Sequence, residues 1–519
     1  MKKFTLFLTS LCLVLTLQAT NPPSHDEVVR RIIEIGLNDN QTMNHLDVLS
    51  NRIGGRLVGS DAYANATQWC ADQFRKWGME VILDEVGSVP VGFNRGPWFG
   101  RMLSEDGMTL HFATPSYTSG TKGAQRGHVV MEPRTRAEFE RMKGKLAGAW
   151  VLITGESSGW PIDYSAEGDS IRAVAIAANE ETARKNREIM MANRQNPEGE
   201  QQPLLPMNEE PALFYKEMVE AGILGIIQSA RVPIRVLYDR KNIDKMTFET
   251  LPTIPDIKLN EHQYAIIEQK VRERQYFLLE FDIRNHFKPG PVPYHNVIGI
   301  IRGTTYPDEY VMMGGHLDAF DVATGGVDNG SGVSPAMEAA RLIMEAGGRP
   351  RRTILITLWA AEEFGLLGSK HWVESNMDKL PYISNYFNRD SGPLVASSLT
   401  VPEAMYEDFR KICEPLNDID PEFPFTLNKR EGPPRPRPTR AGGSDHAYFA
   451  MNGVPTIAFG LSDPRGYDFN YGEIWHTERD LYNMSIPVYQ NHTSIVQAIV
   501  LYGLANLGHN LSREGLYSD

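Results

Sequence analysis

The feature that most limits how this chain can fold is the regular alternation that sets in near residue 292. Apolar runs at 297–301, 310–314, 353–360 and 454–459 read as strands, while 333–346 and 366–377 repeat their apolar residues at helical spacing. Strands separated by helices of that length become parallel neighbours, so the expected class is α/β, a mixed, largely parallel sheet flanked by helices. Upstream, 25–78 is helical in pattern, with Val29, Ile32, Ile33 and Ile35 and then Trp69, Cys70, Phe74 and Trp77 recurring at near 3.6 spacing; 79–86 reads as a strand. The middle, 113–257, changes character. It offers short strands at 150–154 and 224–228, a helix at 212–221, and a polar stretch, 193–208, whose lack of periodicity reads as a mobile loop. This is the pattern of an inserted module. The Pro-rich run GPPRPRPTR, 432–440, cannot be helical and is expected as an extended loop.

At 519 residues the chain exceeds one ordinary core, and 41% hydrophobic with 23% charged residues describes a folded chain with ample apolar area. A formal net charge of -13 argues against nucleic-acid partners and against an anionic membrane surface. Lys2 and Lys3, an apolar run over 4–17 and small residues near Ala19 read as a signal peptide over 1–20. No segment approaches the roughly 20 apolar residues of a transmembrane anchor. The expected location is therefore exported, periplasmic or extracellular, in a bacterial host. After removal of that segment Cys70 and Cys413 remain, as one disulfide or as two free thiols.

Seven acidic or imidazole positions stand out by where they sit. The strand at 310–314 runs into His316-Leu317-Asp318, which delivers an imidazole and a carboxylate to the edge of a parallel sheet where ligands bind. Asp318 is a candidate to orient the His316 ring through its second nitrogen. The glycine-dense 325–332 carries Asp328 into a helix start, and a carboxylate has two oxygens with which to bridge cations. A phosphate-loop reading fails, because no Gly-Lys-Ser/Thr follows. The next strand runs directly into Glu362-Glu363. Such pairs are usually solvated, but at the end of a buried strand they are costly to ionise together without a cation. Asp390 ends another apolar run, and His476 lies in a late loop beside Trp475. Ser444-Asp445-His446 suggests a serine triad, but consecutive residues cannot take up triad geometry.

The ordered motifs HLD, GVDNGSG, AAEE, NRD and WHT, with RIGGRLVGS at 52–60, resemble metallopeptidase family 28 of clan MH, the co-catalytic zinc aminopeptidases and their carboxypeptidase relatives. LAGAWVLITG and EMVEAGILGIIQS resemble a β-rich protease-associated insert. The resemblance implies a zinc exopeptidase fold divided into an N-terminal part, 21–115, an insert, 116–262, and a main peptidase domain, 263–519. It implies two zinc ions, one on His316 and Asp390, the other on Glu363 and His476, with Asp328 bridging. Glu362 would be the general base, Asp318 the His-orienting acid, and a metal-bridged water the nucleophile, acting on peptides from the N-terminal end. A carboxypeptidase or dipeptidase of the same family, or an inactive peptide-binding relative, are the alternatives. A carboxypeptidase would need a cation for the terminal carboxylate, for which Arg435, Arg437 and Arg440 are candidates. Arg389, inside NRD, departs from the uncharged residue the family more often has there.

Overall fold

The computed structural model describes residues 23–104 and 107–518, so the expected signal peptide lies outside the described residues. Among the described residues no helix is long and apolar enough to cross a membrane.

The site rests on a five-stranded sheet, ordered in space Glu80–Asn94, His286–Ile301, Arg352–Trp359, Tyr306–His316 and Ile383–Asn388. The first two strands form a long antiparallel pair, and His286–Ile301 runs antiparallel to Arg352–Trp359. The last three are mutually parallel, with His316 level with Trp359 and Gly314 level with Asn388. The sheet is mixed, as expected of the class. Arg352–Trp359 is buried along its whole length. Ile354, Ile356 and Leu358 face a core shared with the helices Gly330–Glu345 and Pro487–Ala505, while Leu355 and Trp359 face Trp372, Tyr386 and Phe449. With both faces covered, the strand reads as an unbroken apolar run without alternation.

The strand expected at 454–459 is a correction. The observed strand is Phe459–Ser462, and it pairs antiparallel with Val395–Val401 in a separate three-stranded sheet. Residues before it are tied to Ile383–Asn388 by one backbone bond, Tyr386 N to Pro455 O at 2.9 Å, and by a side chain: Ile457 N donates to Asn385 Oδ1 at 2.8 Å, and Asn385 Nδ2 to Ile457 O at 3.1 Å. The Pro-rich run is exposed, as its composition requires, with Arg435–Pro436 pairing in parallel with Tyr517–Ser518.

A second, seven-stranded sheet is ordered Trp98–Leu103, Leu278–Ile283, Gln125–Met131, Ala149–Glu156, Gly225–Ala230, Asp256–Asn260 and Phe112–Ala113. Four of its strands lie within 116–262, and the other three come from either side of it. Hydrophobic periodicity gives no sign of the 30-residue helix Ala166–Gln195, because its buried residues are Gly168, Arg172, Ala175, Asn179 and Asn186. The 193–208 stretch, expected as a mobile loop, is docked along that helix. Asn186 and Asn193 each exchange two hydrogen bonds with the returning backbone, at Leu205 and Gln202, and Asn179 Oδ1 accepts from Asn208 N. Seven residues of helix rise about 10.5 Å. Three residues of extended chain span about 10 Å, so asparagines seven apart meet backbone positions three apart.

Candidate metal centre

The parallel register brings three acidic chain segments level at one sheet edge. His316 ends its strand, Glu362 and Glu363 follow Trp359, and Asp390 follows Asn388. The His316 ring is buried, and its Nδ1 lies 2.9 Å from the carbonyl of Asp318. A carbonyl only accepts, so Nδ1 carries a proton, and Nε2 faces Asp328 Oδ1 at 3.3 Å and Asp390 Oδ1 at 3.5 Å. The orienting role expected of the Asp318 carboxylate thus falls to its backbone, the carboxylate standing 3.6 Å from Nδ1. That carboxylate instead accepts from Glu362 N at 3.1 Å and Glu363 N at 3.2 Å, clamping the turn after Ala361, whose φ of 55° starts the chain's reversal.

Asp328 enters from the start of the helix Gly330–Glu345. The glycines before it are required by space: a side chain at Gly326 would fall 2.2 Å from the carbonyl carbon of Leu481, and Gly325 has a φ of 59°. His476, also left-handed at φ 59°, points Nε2 to Glu363 Oε2 at 3.0 Å and to Asp328 Oδ2 at 3.7 Å. Its ring is wedged between Phe320 and Trp475, with centroids at 4.5 and 4.3 Å.

The result is two overlapping donor sets, His316 with Asp328 and Asp390, and Asp328 with Glu363 and His476, each with its donor atoms within 4.8 Å of one another. A third set joins His316 to Glu362 and Glu363. Acids this close repel; at an effective dielectric near 20, two like charges 4 Å apart cost about 4 kcal/mol. Burial pushes Glu362 up to about 10 and Glu363 well above the carboxylate range, with Asp328 a further cause for Glu363. Burial also works to lower His316, yet Asp390 and Glu362 hold it well above its usual value, whereas burial takes His476 down to about 4. Glu363 Oε1 is buried with no hydrogen-bond partner. A donor set of neutral-capable imidazoles and crowded carboxylates with an orphaned oxygen fits divalent cations.

Residues 296–500 match the sequence model of Peptidase family M28. That segment holds His316, Asp328, Glu362, Glu363, Asp390 and His476. Carboxypeptidase Q of Mus musculus is 22% identical over 94% of this chain and 92% of its own. Among solved structures, the peptidase M28 precursor of Shewanella amazonensis is 18% identical, with a TM-score of 0.55 over 94% of this chain and 99% of its own. BSAP, a zinc aminopeptidase from Bacillus subtilis, is 17% identical, with a TM-score of 0.50 over 92% and 97%.

Around this centre lie residues that sequence reasoning did not single out. Arg56 is fully buried, and its guanidinium donates to the carbonyls of Leu317 at 2.8 Å, Thr324 at 3.0 Å and Gly325 at 3.0 Å, tying the His316 and Asp328 segments together. Asp480 Oδ1 accepts from Val327 N at 2.7 Å and Asp328 N at 3.2 Å. Tyr471 lines the cavity of about 500 Å³ in front of the donors; burial, and next Asp328 and Asp390, push its phenol upward. Arg56 sits inside the RIGGRLVGS motif and Asp480 four residues after His476, so only position could have flagged them. Arg389 is turned away from Asp390, and its guanidinium donates to Leu394 O at 2.7 Å and to Gly392 O at 3.2 Å. In the Ser444-Asp445-His446 turn, Ser444 Oγ accepts from Asn388 Nδ2 at 2.9 Å, as a bracing turn would. Cys70 and Cys413 are both buried and free.

Proposed function

We propose that the chain is a two-zinc exopeptidase of short peptides, exported from the cell as its N-terminal sequence suggests. One ion would be held by His316 and Asp390, the second by Glu363 and His476, and both by Asp328. The observation that carries this reading is the pair of donor sets sharing Asp328. Mixed imidazole and carboxylate donors suit zinc. When bound, zinc supplies Lewis acidity that polarises the scissile carbonyl and makes a neighbouring water acidic. Glu362 lies outside both Asp328 sets yet lines the cavity, which suits the general base that takes a proton from the attacking water and passes it to the departing amine. Asp318 would act through its clamp on the Glu362-Glu363 turn. Tyr471 is the donor we assign to the oxyanion, because it lines the same cavity as Glu362 and Glu363. Tyr471→Phe is expected to lower kcat about 100-fold with little change in KM; steady-state kinetics with an unchanged kcat would remove Tyr471 from this role.

The function itself is tested by dialysing the protein against a chelator, restoring zinc, and following free, N-blocked and C-amidated peptides. Loss of hydrolysis with the metal and its return with zinc is expected; activity persisting in demonstrably metal-free protein would contradict the reading. Release from the N-terminal end rests on family resemblance. The extended similarity to Carboxypeptidase Q supports release from the other end, and activity that survives N-blocking would decide against an aminopeptidase.

A further inference from the structure

One wall of the cavity comes from the seven-stranded part of the molecule and carries cations. After the strand Gly225–Ala230 the chain runs beside the His476 loop. Val236 N donates to His476 O at 3.4 Å, Glu478 N donates to Ile234 O at 3.1 Å, and Arg235 pairs with Thr477 in an isolated antiparallel bridge. Backbone contacts on both sides of Arg235 therefore fix it next to the metal centre.

Its guanidinium lies 4.3 Å from the ring centre of Trp475, the residue before His476. Opposite it, Gly159 has a φ of 98°, which side chains rarely adopt, and a side chain there would come within 3.2 Å of Arg235 Cγ. Arg235 Nε is buried without a hydrogen-bond partner, and among the described residues neither Arg235 nor Arg240 forms an ion pair. Both line the same cavity as Glu362, Glu363 and Asp390, with Arg240 at 5.9 Å from the Trp160 ring. The cavity thus pairs an acidic, metal-binding side with a cationic side. Arg435, Arg437 and Arg440, the candidates from sequence, are exposed and do not line it.

A guanidinium held over an aromatic face keeps N–H groups free, and these match the two oxygens of a carboxylate. A substrate's ammonium group would be repelled by it. We propose that Arg235 is the specificity-determining residue that binds the free α-carboxylate of the residue being released, with Arg240 adding positive charge at the mouth. This rests on the exopeptidase reading above. It makes the substrates peptides short enough to enter a cavity of about 500 Å³, cut one residue from a free C-terminus.

The test compares alanyl-leucine with alanyl-leucinamide on the zinc-loaded full chain. The kcat/KM ratio of acid to amide is expected to be about 30-fold or more in the unaltered protein, the scale of hydrogen bonds to a charged partner. It should fall to within about 3-fold of one in Arg235→Gln and be partly restored in Arg235→Lys. Because each variant is judged by its own ratio, a reduced folded fraction does not change the result. Calorimetry gives a second readout: leucine should bind more tightly than leucinamide, and Arg235→Gln should erase the difference. A ratio near one in the unaltered protein, or a ratio or leucine preference unmoved by Arg235→Gln, overturns the assignment and leaves the exopeptidase reading standing. Failure of the zinc-loaded protein to cleave either compound overturns both.

Discussion

Glu362→Gln is expected to lower kcat for peptide hydrolysis by about 10³-fold or more while leaving the zinc content unchanged. The side chain keeps its shape and its backbone hydrogen bond to Asp318, made through Glu362 N at 3.1 Å, so the turn that carries Glu363 is undisturbed. What is lost is the only chemical property the base needs, an oxygen that can accept and then return a proton. Glu362 belongs to neither of the donor sets that share Asp328, which is why metal retention is part of the expectation. Two measurements check it together, kcat and zinc per chain by atomic absorption. A variant that turns over normally would remove Glu362 from the mechanism, and one that loses zinc would make it a ligand.

Asp328→Ala should have a broader effect, because Asp328 is the one residue common to both sets. His316 Nε2 is 3.3 Å from one of its oxygens and His476 Nε2 is 3.7 Å from the other. Removing it leaves each ion with two protein donors and takes away a charge that offsets two cations. The expected outcome is zinc content falling from two per chain to below one after dialysis, with activity reduced at least about 10⁴-fold, the scale at which a metal-activated nucleophile is lost. Losing a single ion with the other held at full occupancy would show that the two sites do not share Asp328. The fold should survive, since the loop is also held by Arg56 through Thr324 and Gly325 and by Asp480 through Val327.

Much of this centre could be read from sequence for a reason specific to parallel sheets. His316, Glu362 with Glu363, and Asp390 each end an apolar run, and the register that sets His316 beside Trp359 and Gly314 beside Asn388 turns three sequence positions into one spatial edge. His476 follows no strand, and only the motif around it marked it out. What stayed hidden was whatever depended on contacts across long sequence separations. Arg235 reaches the centre through an isolated bridge to Thr477, 242 positions away, and nothing around it in sequence distinguishes it from other arginines. Asp318 was expected to hold His316 through its carboxylate, but residues two apart on an ending strand let the carbonyl reach the ring first. The helix Ala166–Gln195 escaped notice because it buries asparagines and glycine, which pattern arguments count as surface.

The central claim is that two zinc ions share Asp328. The most direct test is crystallographic data collected on the zinc-loaded protein on both sides of the zinc absorption edge. The account predicts two zinc-specific peaks, one against His316 and Asp390 and one against Glu363 and His476, with Asp328 touching both. A single peak, or two peaks of which either lies away from Asp328, would contradict it.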